Sequence, residues 1–334
     1  GSQLFHLKVW DEVAFGPLLR DGNLFSSRII TAFDERNRDQ LVHFAVDGET
    51  YGHHYRFGEM ALAYCLSRLQ EEDIALTVYG HYLASHPPLD EVEIKEKTSW
   101  SCPHTLSRWM GGCTCSTGAH PGWSLEWRRY LRSALDHLRD QLNVHFEEVA
   151  SGLFHHPWTA RNDYIRVVSS RTEEAKEAFL TEHGSHLFTP EERVKALELL
   201  EMQRHLMLMY TSCGWFFDDI AGIEAVQVMS YAARAIQLYH ATGGAVAQED
   251  EIQQFLQAAE SNTPGFSDGA SVWRGLVAPR VTDLQKVCCQ YALTSLFCSY
   301  PATSRHTIYE VTRFLDEQQR EERRRITLGA ATIR

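Results

Sequence analysis

Several things are scarce in this chain, and each scarcity excludes something. No apolar run approaches the ~20 residues that a membrane-spanning helix needs. The opening "GSQLFHLKVW" lacks the layout of a signal peptide. Basic charge is short: 32 Lys and Arg stand against 44 Asp and Glu, a formal net charge of −12. With no basic stripe interleaved with aromatics, neither nucleic acid nor a membrane is an expected partner. Eight cysteines in 334 residues are too few for a disulfide scaffold. Several sit in apolar helical surroundings and read as free thiols, so a reducing, cytoplasmic compartment is expected. There is no internal repeat and no low-complexity linker. The one basic cluster, "EQQREERRRI", is mixed with acids and reads as a solvated terminal helix.

What is present points to a mainly α chain with a small α/β part. In residues 1–97, "AFGPLLRDGNLFSSRIITAF" has helical spacing, and "QLVHFAV" has the β-branched, aromatic make-up of a buried strand. "EMALAYCLSRLQEED" predicts a helix with Ala61, Leu62, Cys65, Leu66 and Leu69 on one face, and "IALTVYG" predicts a second strand. Residues 98–123 are rich in Gly, Ser, Cys, His and Trp with weak periodicity, which predicts an ordered loop. Residues 124–334 predict a helical domain. Its first helix opens on Ser124 as N-cap and carries the apolar stripe Leu131, Leu135, Leu138, Leu142 and Phe146. A later one opens on Thr189, Pro190 and Glu192, the layout of a capping box. Met202, Met207 and Met209 sit at helical spacing and read as core filler. "GIEAVQVMSYAARAIQLYHATGG" closes on Gly243-Gly244.

Three stretches concentrate chemistry. In "AVDGETYGHH", Asp47 follows a predicted strand, where α/β folds present reactive side chains. Beside an apolar strand end and a second carboxylate, Glu49, it is a candidate general acid. His53 and His54 can hold the hydroxyls of a polyol. An Asp-Gly turn between strand and helix explains the same residues without chemistry.

"TSWSCPHTLSRWMGGCTC" offers Cys102, His104, Cys113 and Cys115, soft ligands in two short-gap pairs that suit tetrahedral zinc. The one-residue gaps are tight for a shared ion. The other reading has Trp100, His104 and Trp109 lining a sugar site while the thiols pack. "YTSCGWFFDDIAG" follows an aromatic run with Asp218 and Asp219 at a helix mouth, where carboxylates either bind a ligand or cap the helix.

These stretches, in this order, resemble glycoside hydrolase family 57, the α-amylase, 4-α-glucanotransferase and 1,4-α-glucan branching enzyme family. "DGETYGHH" resembles its fourth signature, Asp-x-Glu-x-aromatic-Gly, and Asp47 matches the proton donor. "TSWSCPH" and "GWSLEWRRYLRSAL" look like the region that follows in branching enzymes. "TSCGWFFDDIAG" is similar to the fifth signature: Trp215 matches its Trp, but Gly214 stands where the signature has Asp. The cysteine pairs resemble instead a group of family-57-like bacterial proteins that carry a C-terminal domain of unknown function, number 3536.

The resemblance implies cleavage or transfer of an α-glucosidic bond by a retaining mechanism, with Asp47 as general acid/base and Glu49 beside it. Trp100, Trp109 and Trp215 would stack on sugar rings. His53, His54, His104, Asp218 and Asp219 would bind hydroxyls of an α-glucan or oligosaccharide. No cofactor is required, with zinc at Cys102, His104, Cys113 and Cys115 the open option. The nucleophilic Glu is expected upstream, in a barrel domain of the same protein. The first 97 residues would then be the last strands of an incomplete (β/α) barrel, followed by a helical bundle domain. Opening on Gly-Ser rather than Met fits a piece of a longer, active protein that is inactive alone. The alternative is a non-catalytic helical module that binds sugar or a metal through Cys102, His104, Cys113 and Cys115.

Overall fold

The computed structural model describes residues 4–6, 18–33, 40–43, 46–89, 91–99, 101–245, 247–306, 309–321 and 324–333. Two units separate, Gly1–Lys95 and Glu96–Arg334. The described secondary structure is mainly helical.

In the first unit, strands β1 (Leu4–His6) and β2 (Leu41–His43) pair in parallel, Phe5 opposite Val42. A parallel pair needs a crossover, and the helix Gly22–Ile30 lies between the two strands in sequence. Asp21 caps that helix, its Oδ1 accepting from the amides of Asn23 and Leu24 at 2.9 and 3.2 Å. Leu18, Leu19, Phe25, Ile29, Cys65 and Leu69 form a small core. Ala61, Cys65 and Leu69 of the helix Gly58–Glu71 are buried as the spacing predicts, whereas Leu66 faces out at 38% exposure. The run "IALTVYG" is not a strand: residues 74–78 are irregular and the helix Tyr79–Ser85 starts within it. Its β-branched residues find no ladder partner among the described residues, and Val78 stays 71% exposed. Residues 44 and 45 of the predicted strand lie outside the described residues.

The second unit is built on the helix Trp127–Ala150, which buries Leu131, Leu135, Leu138, Leu142 and Phe146 at 0–1% exposure. Its start differs from the expectation. Glu126, not Ser124, is the cap residue and makes no capping side-chain bond. Ser124 is instead held by Asn262, which accepts from its amide at 2.8 Å and donates to its carbonyl at 2.9 Å. The helix Pro190–Leu208 has the complete capping box: Thr189 Oγ1 accepts from the Glu192 amide at 3.2 Å, and Glu192 Oε2 from the Thr189 amide at 2.9 Å. Of its methionines Met202 is buried, as is Met209 just past its end, while Met207 is 47% exposed. The helix Ile223–Ala241 is stopped by Gly243 at φ 104.

The chain then departs from an all-helical plan. Three antiparallel strands, β3 (Thr303–His306), β4 (Tyr309–Glu321) and β5 (Arg324–Ile333), replace the expected solvated terminal helix. The charged run is locally suited to a helix. Its pairing with "ITLGAATI", Gln319 opposite Ile326 and Thr312 opposite Thr332, overrides that local preference.

Candidate functional site

The loop before the long helix folds its four soft ligands onto one point. Cys102 sits in a tight turn in which Ser99 Oγ accepts from its amide at 3.2 Å and donates to its carbonyl at 3.3 Å. A short helix, Ser107–Met110, follows, and the chain reverses through Gly111 and Gly112 at φ 88 and 104. Gly111 is required twice over. Its φ suits glycine, and a Cβ there would lie 2.4 Å from Cβ of Arg129. The reversal returns Cys113 to Cys102, with sulfurs 3.5 Å apart.

His104 Nδ1 lies 3.9 Å from the sulfur of Cys102, 3.6 Å from that of Cys113 and 3.3 Å from that of Cys115. All four ligand atoms are within 4.8 Å of one another. Zinc–sulfur and zinc–nitrogen bonds of ~2.3 and ~2.0 Å at tetrahedral angles place sulfurs ~3.8 Å apart and sulfur ~3.5 Å from nitrogen. The Cys102–Cys113 sulfur spacing and the three His104 spacings lie within about 0.4 Å of those figures. The one-residue gaps are therefore compatible with a shared ion, because each pair contributes from its own turn. The thiols are free, and 3.5 Å is far beyond a disulfide bond of ~2.05 Å. Cys102 and Cys113 are buried, Cys115 is half-buried and His104 is exposed. This Cys/His cluster can hold a metal ion.

Hydrogen bonds from the surroundings fix the loop that carries the ligands. The Cys115 amide donates to Cys113 Sγ at 3.3 Å. Arg128, 1% exposed, reaches the carbonyls of Cys113 and Cys115 through Nη1 at 3.4 and 2.9 Å. Its Nη2 reaches those of Phe216 and Phe217 at 3.2 and 2.9 Å. Burial, then the like charge of Arg108, pulls the Arg128 pKa down, and the neighbouring Cys113, Asp218 and Cys115 act against that. Arg108, also buried, donates to the Phe216 carbonyl at 3.2 Å and lies 4.4 Å over the Phe216 ring. Arg128 thus braces the cysteine loop, and Arg108 shares the Phe216 carbonyl with it.

The "TSCGWFFDD" segment joins this brace rather than an open cleft. Trp215 is 1% exposed and donates through Nε1 to the Arg128 carbonyl at 3.1 Å, so it packs in the core and has no face for a sugar. Trp109 is half-buried, its Nε1 donating to the Ser212 carbonyl at 2.9 Å. Asp218, 4% exposed, accepts from the amide and hydroxyl of Thr117 at 2.8 and 2.5 Å. Asp219, 5% exposed, accepts from the Ala221 amide, the Ser261 and Thr263 hydroxyls, and both the amide and side chain of Asn262, at 2.5–3.0 Å. Burial opposes its charge, and these bonds outweigh burial and hold its pKa below the ordinary value. The expected hydroxyl-binding role for both aspartates gives way to a bracing one. Nor does Asp219 cap the next helix, whose cap residue is Gly222. Gly214, where the signature carries Asp, has a reason of its own: a Cβ there would meet Val228 at 2.7 Å.

Sequence reasoning missed Arg108, Arg128, Thr117, Ser261, Asn262 and Thr263. Arg128 left a signal, since it shares the buried helix face with Leu131 and Leu135. The others have partners too distant in sequence to leave one.

Asp47, Glu49, His53 and His54 are gathered in the first unit. The Thr50 amide donates to the Asp47 carbonyl at 3.0 Å and the His54 amide to the Glu49 carbonyl at 3.0 Å, and Gly52 takes φ 97. Thr50 is buried beneath this turn, while Asp47 and Glu49 are exposed to water rather than shielded by an apolar wall. Glu49 Oε2 stands 3.7 Å from Nε2 of both His53 and His54. The histidines lie in the turn, and the helix begins only at Gly58. Trp100 lies outside the described residues.

Residues 123–334 match the family described as Domain of unknown function (DUF3536). No curated protein and no solved structure matches the chain.

Proposed function

We propose the following on one premise: the chain belongs to the DUF3536 family. Its helical unit is a zinc-stapled module, and the chain serves a carbohydrate-active protein of the glycoside hydrolase family 57 type.

The first half rests on the convergence of Cys102, His104, Cys113 and Cys115 within 4.8 Å. Three thiolates and an imidazole are soft ligands suited to zinc, and four protein ligands leave no open position. That describes a structural ion, which closes the loop on itself, while Arg128 ties the loop to the first turn of the long helix. Protein purified without chelator is expected to carry roughly one zinc per chain by elemental mass spectrometry. Replacing Cys113 and Cys115 by Ser is expected to remove the metal and lower the melting temperature. Wild-type protein that takes up no zinc even when supplied with it would end this reading.

The second half is favoured by a separate observation in the first unit. A parallel strand pair carries Asp47 exposed four residues past the end of β2, the end at which parallel sheets present ligand-binding groups. In this reading Asp47 protonates the leaving oxygen of an α-glucosidic bond and later activates the acceptor. Glu49, His53 and His54 hold hydroxyls. The nucleophilic carboxylate comes from an upstream barrel domain of the same protein. Trp215, Asp218 and Asp219 have no part in it, because each is buried and bonded within the helical unit. In a protein that includes the upstream domain, Asp47→Asn is expected to reduce glucan turnover at least a hundredfold, on the order of what a general acid contributes. Glucan binding should persist. Unchanged turnover removes Asp47 from the chemistry.

A further inference from the structure

A cavity of about 420 Å³ opens in the helical unit, away from the cysteine cluster in sequence. Its walls come from the helices Pro190–Leu208 and Ile223–Ala241, from the segment 277–282 and from Tyr309 of β4. This is within the usual size range of small-molecule sites. Its charge is unusual: three arginines, Arg204, Arg234 and Arg280, line it beside Glu201.

The four charges do not cancel. Arg204 is committed to Glu201 by two bonds of 2.8 and 2.7 Å, and Tyr164 donates to the other oxygen of Glu201 at 2.9 Å. Arg234 and Arg280 are in no ion pair among the described residues. Among the described residues Arg234 donates only to Gln237 Oε1, at 3.2 Å. Glu198 on the neighbouring helix feels Arg234 without pairing with it. Two guanidinium groups therefore face a shared cavity with donors to spare, the arrangement that recognises phosphate.

Two further polar groups in the wall, His205 and Ser230, present acceptors beside Gln237, Thr282 and Tyr309. His205 Nδ1 donates to the Glu201 carbonyl at 2.8 Å, which fixes the tautomer and leaves Nε2 with a lone pair. Burial, reinforced by Arg204 and Arg234, lowers the His205 pKa and keeps the ring neutral. Ser230 Oγ gives its proton to the Val226 carbonyl at 2.7 Å and likewise presents lone pairs. Acceptors repel an anion and welcome hydroxyl protons. A ligand with phosphate at one end and hydroxyls at the other meets both halves of this wall, whereas a bare anion or a dicarboxylate meets only one.

We propose that this cavity binds a phosphorylated monosaccharide, its phosphate on Arg234 and Arg280 and its hydroxyls on His205 Nε2 and Ser230 Oγ. The site stands whether or not the cysteine cluster holds zinc or Asp47 acts on glucan.

Isothermal titration of the full chain with glucose 1-phosphate, glucose 6-phosphate, inorganic phosphate and glucose tests it. At least one sugar phosphate is expected to bind about tenfold or more tighter than inorganic phosphate, and glucose alone not measurably. Arg280 is exposed at the rim, so Arg280→Ala leaves the fold intact and is expected to weaken sugar-phosphate binding about tenfold or more. Ser230→Ala is expected to narrow the gap between sugar phosphate and inorganic phosphate. The proposal is overturned by no binding of either sugar phosphate, by equal affinity for inorganic phosphate, or by wild-type affinity in Arg280→Ala. Wild-type affinity in a correctly folded Arg234→Gln overturns it as well.

Discussion

The turn at 47–55 and the loop at 99–117 both crowd ionisable side chains into a few residues, yet they are held in opposite ways. The turn is held by its own backbone, amide to carbonyl, and its carboxylates and imidazoles stand in water. The loop is held by side-chain bonds to distant segments: Arg128 grips its carbonyls, its own Arg108 grips that of Phe216, and Asp218 grips Thr117. Side chains that hold a fold are buried and bonded within it, as Arg128, Asp218 and Asp219 are. Side chains that meet an outside molecule keep unused hydrogen-bonding capacity. By that measure the turn at 47–55 carries its ionisable groups outward, and the helical unit turns Arg108, Arg128, Asp218 and Asp219 inward beside the ligand cluster.

Substitutions can break or sharpen this contrast. The largest effect is expected at Arg128. Arg128→Met keeps volume but removes the donor to the carbonyls of Cys113, Cys115 and Phe217, with Arg108 still reaching that of Phe216, and it should destabilise the helical unit by about 4 kcal/mol in chemical denaturation. A change under about 1 kcal/mol would mean the brace is not structural. Next is Asp219, whose removal as Asp219→Ala strands five donors and is expected to lower stability by about 3 kcal/mol.

This second substitution also has a pH signature. The folded-state pKa of Asp219 is depressed, so its contribution is full above the ordinary aspartate value of 3.8 and is lost as pH falls from there through the folded value. Wild type should lose stability in that acidic window faster than Asp219→Ala does. Parallel pH profiles for the two proteins would contradict the assignment. The smallest effect is expected in the first unit: Asp47→Asn and Glu49→Gln should each change stability by no more than about 0.5 kcal/mol. A larger loss would show that the turn depends on its carboxylates, and the contrast between the two regions would fail.

Legibility in the sequence followed the distance between partners. The Thr189–Glu192 capping box and the Leu131–Phe146 stripe involve residues three to fifteen positions apart, and both formed as read. The ligand set Cys102, His104, Cys113 and Cys115 spans fourteen residues and could be named from spacing alone. The braces could not. Trp127 donates to the carbonyl of Asp218 across 91 positions, and Asn262 reaches Ser124 across 138. Asp218 and Asp219 looked like ligand groups because an acidic pair after aromatics has the same local appearance whether it faces a sugar or a distant loop. The terminal strands failed for the related reason that a charged run gives no local hint of the segment it will pair with.

Gly214 carries a consequence for how such a chain can change over generations. The place where a carboxylate would stand is filled by the methyl groups of Val228, 2.7 and 2.9 Å from any new Cβ. A lineage acquiring aspartate there passes first through a smaller residue at 228, and in the reverse direction valine enters only after the aspartate has gone. Positions 214 and 228 are therefore expected to vary as a pair across related chains, in a fixed order of steps.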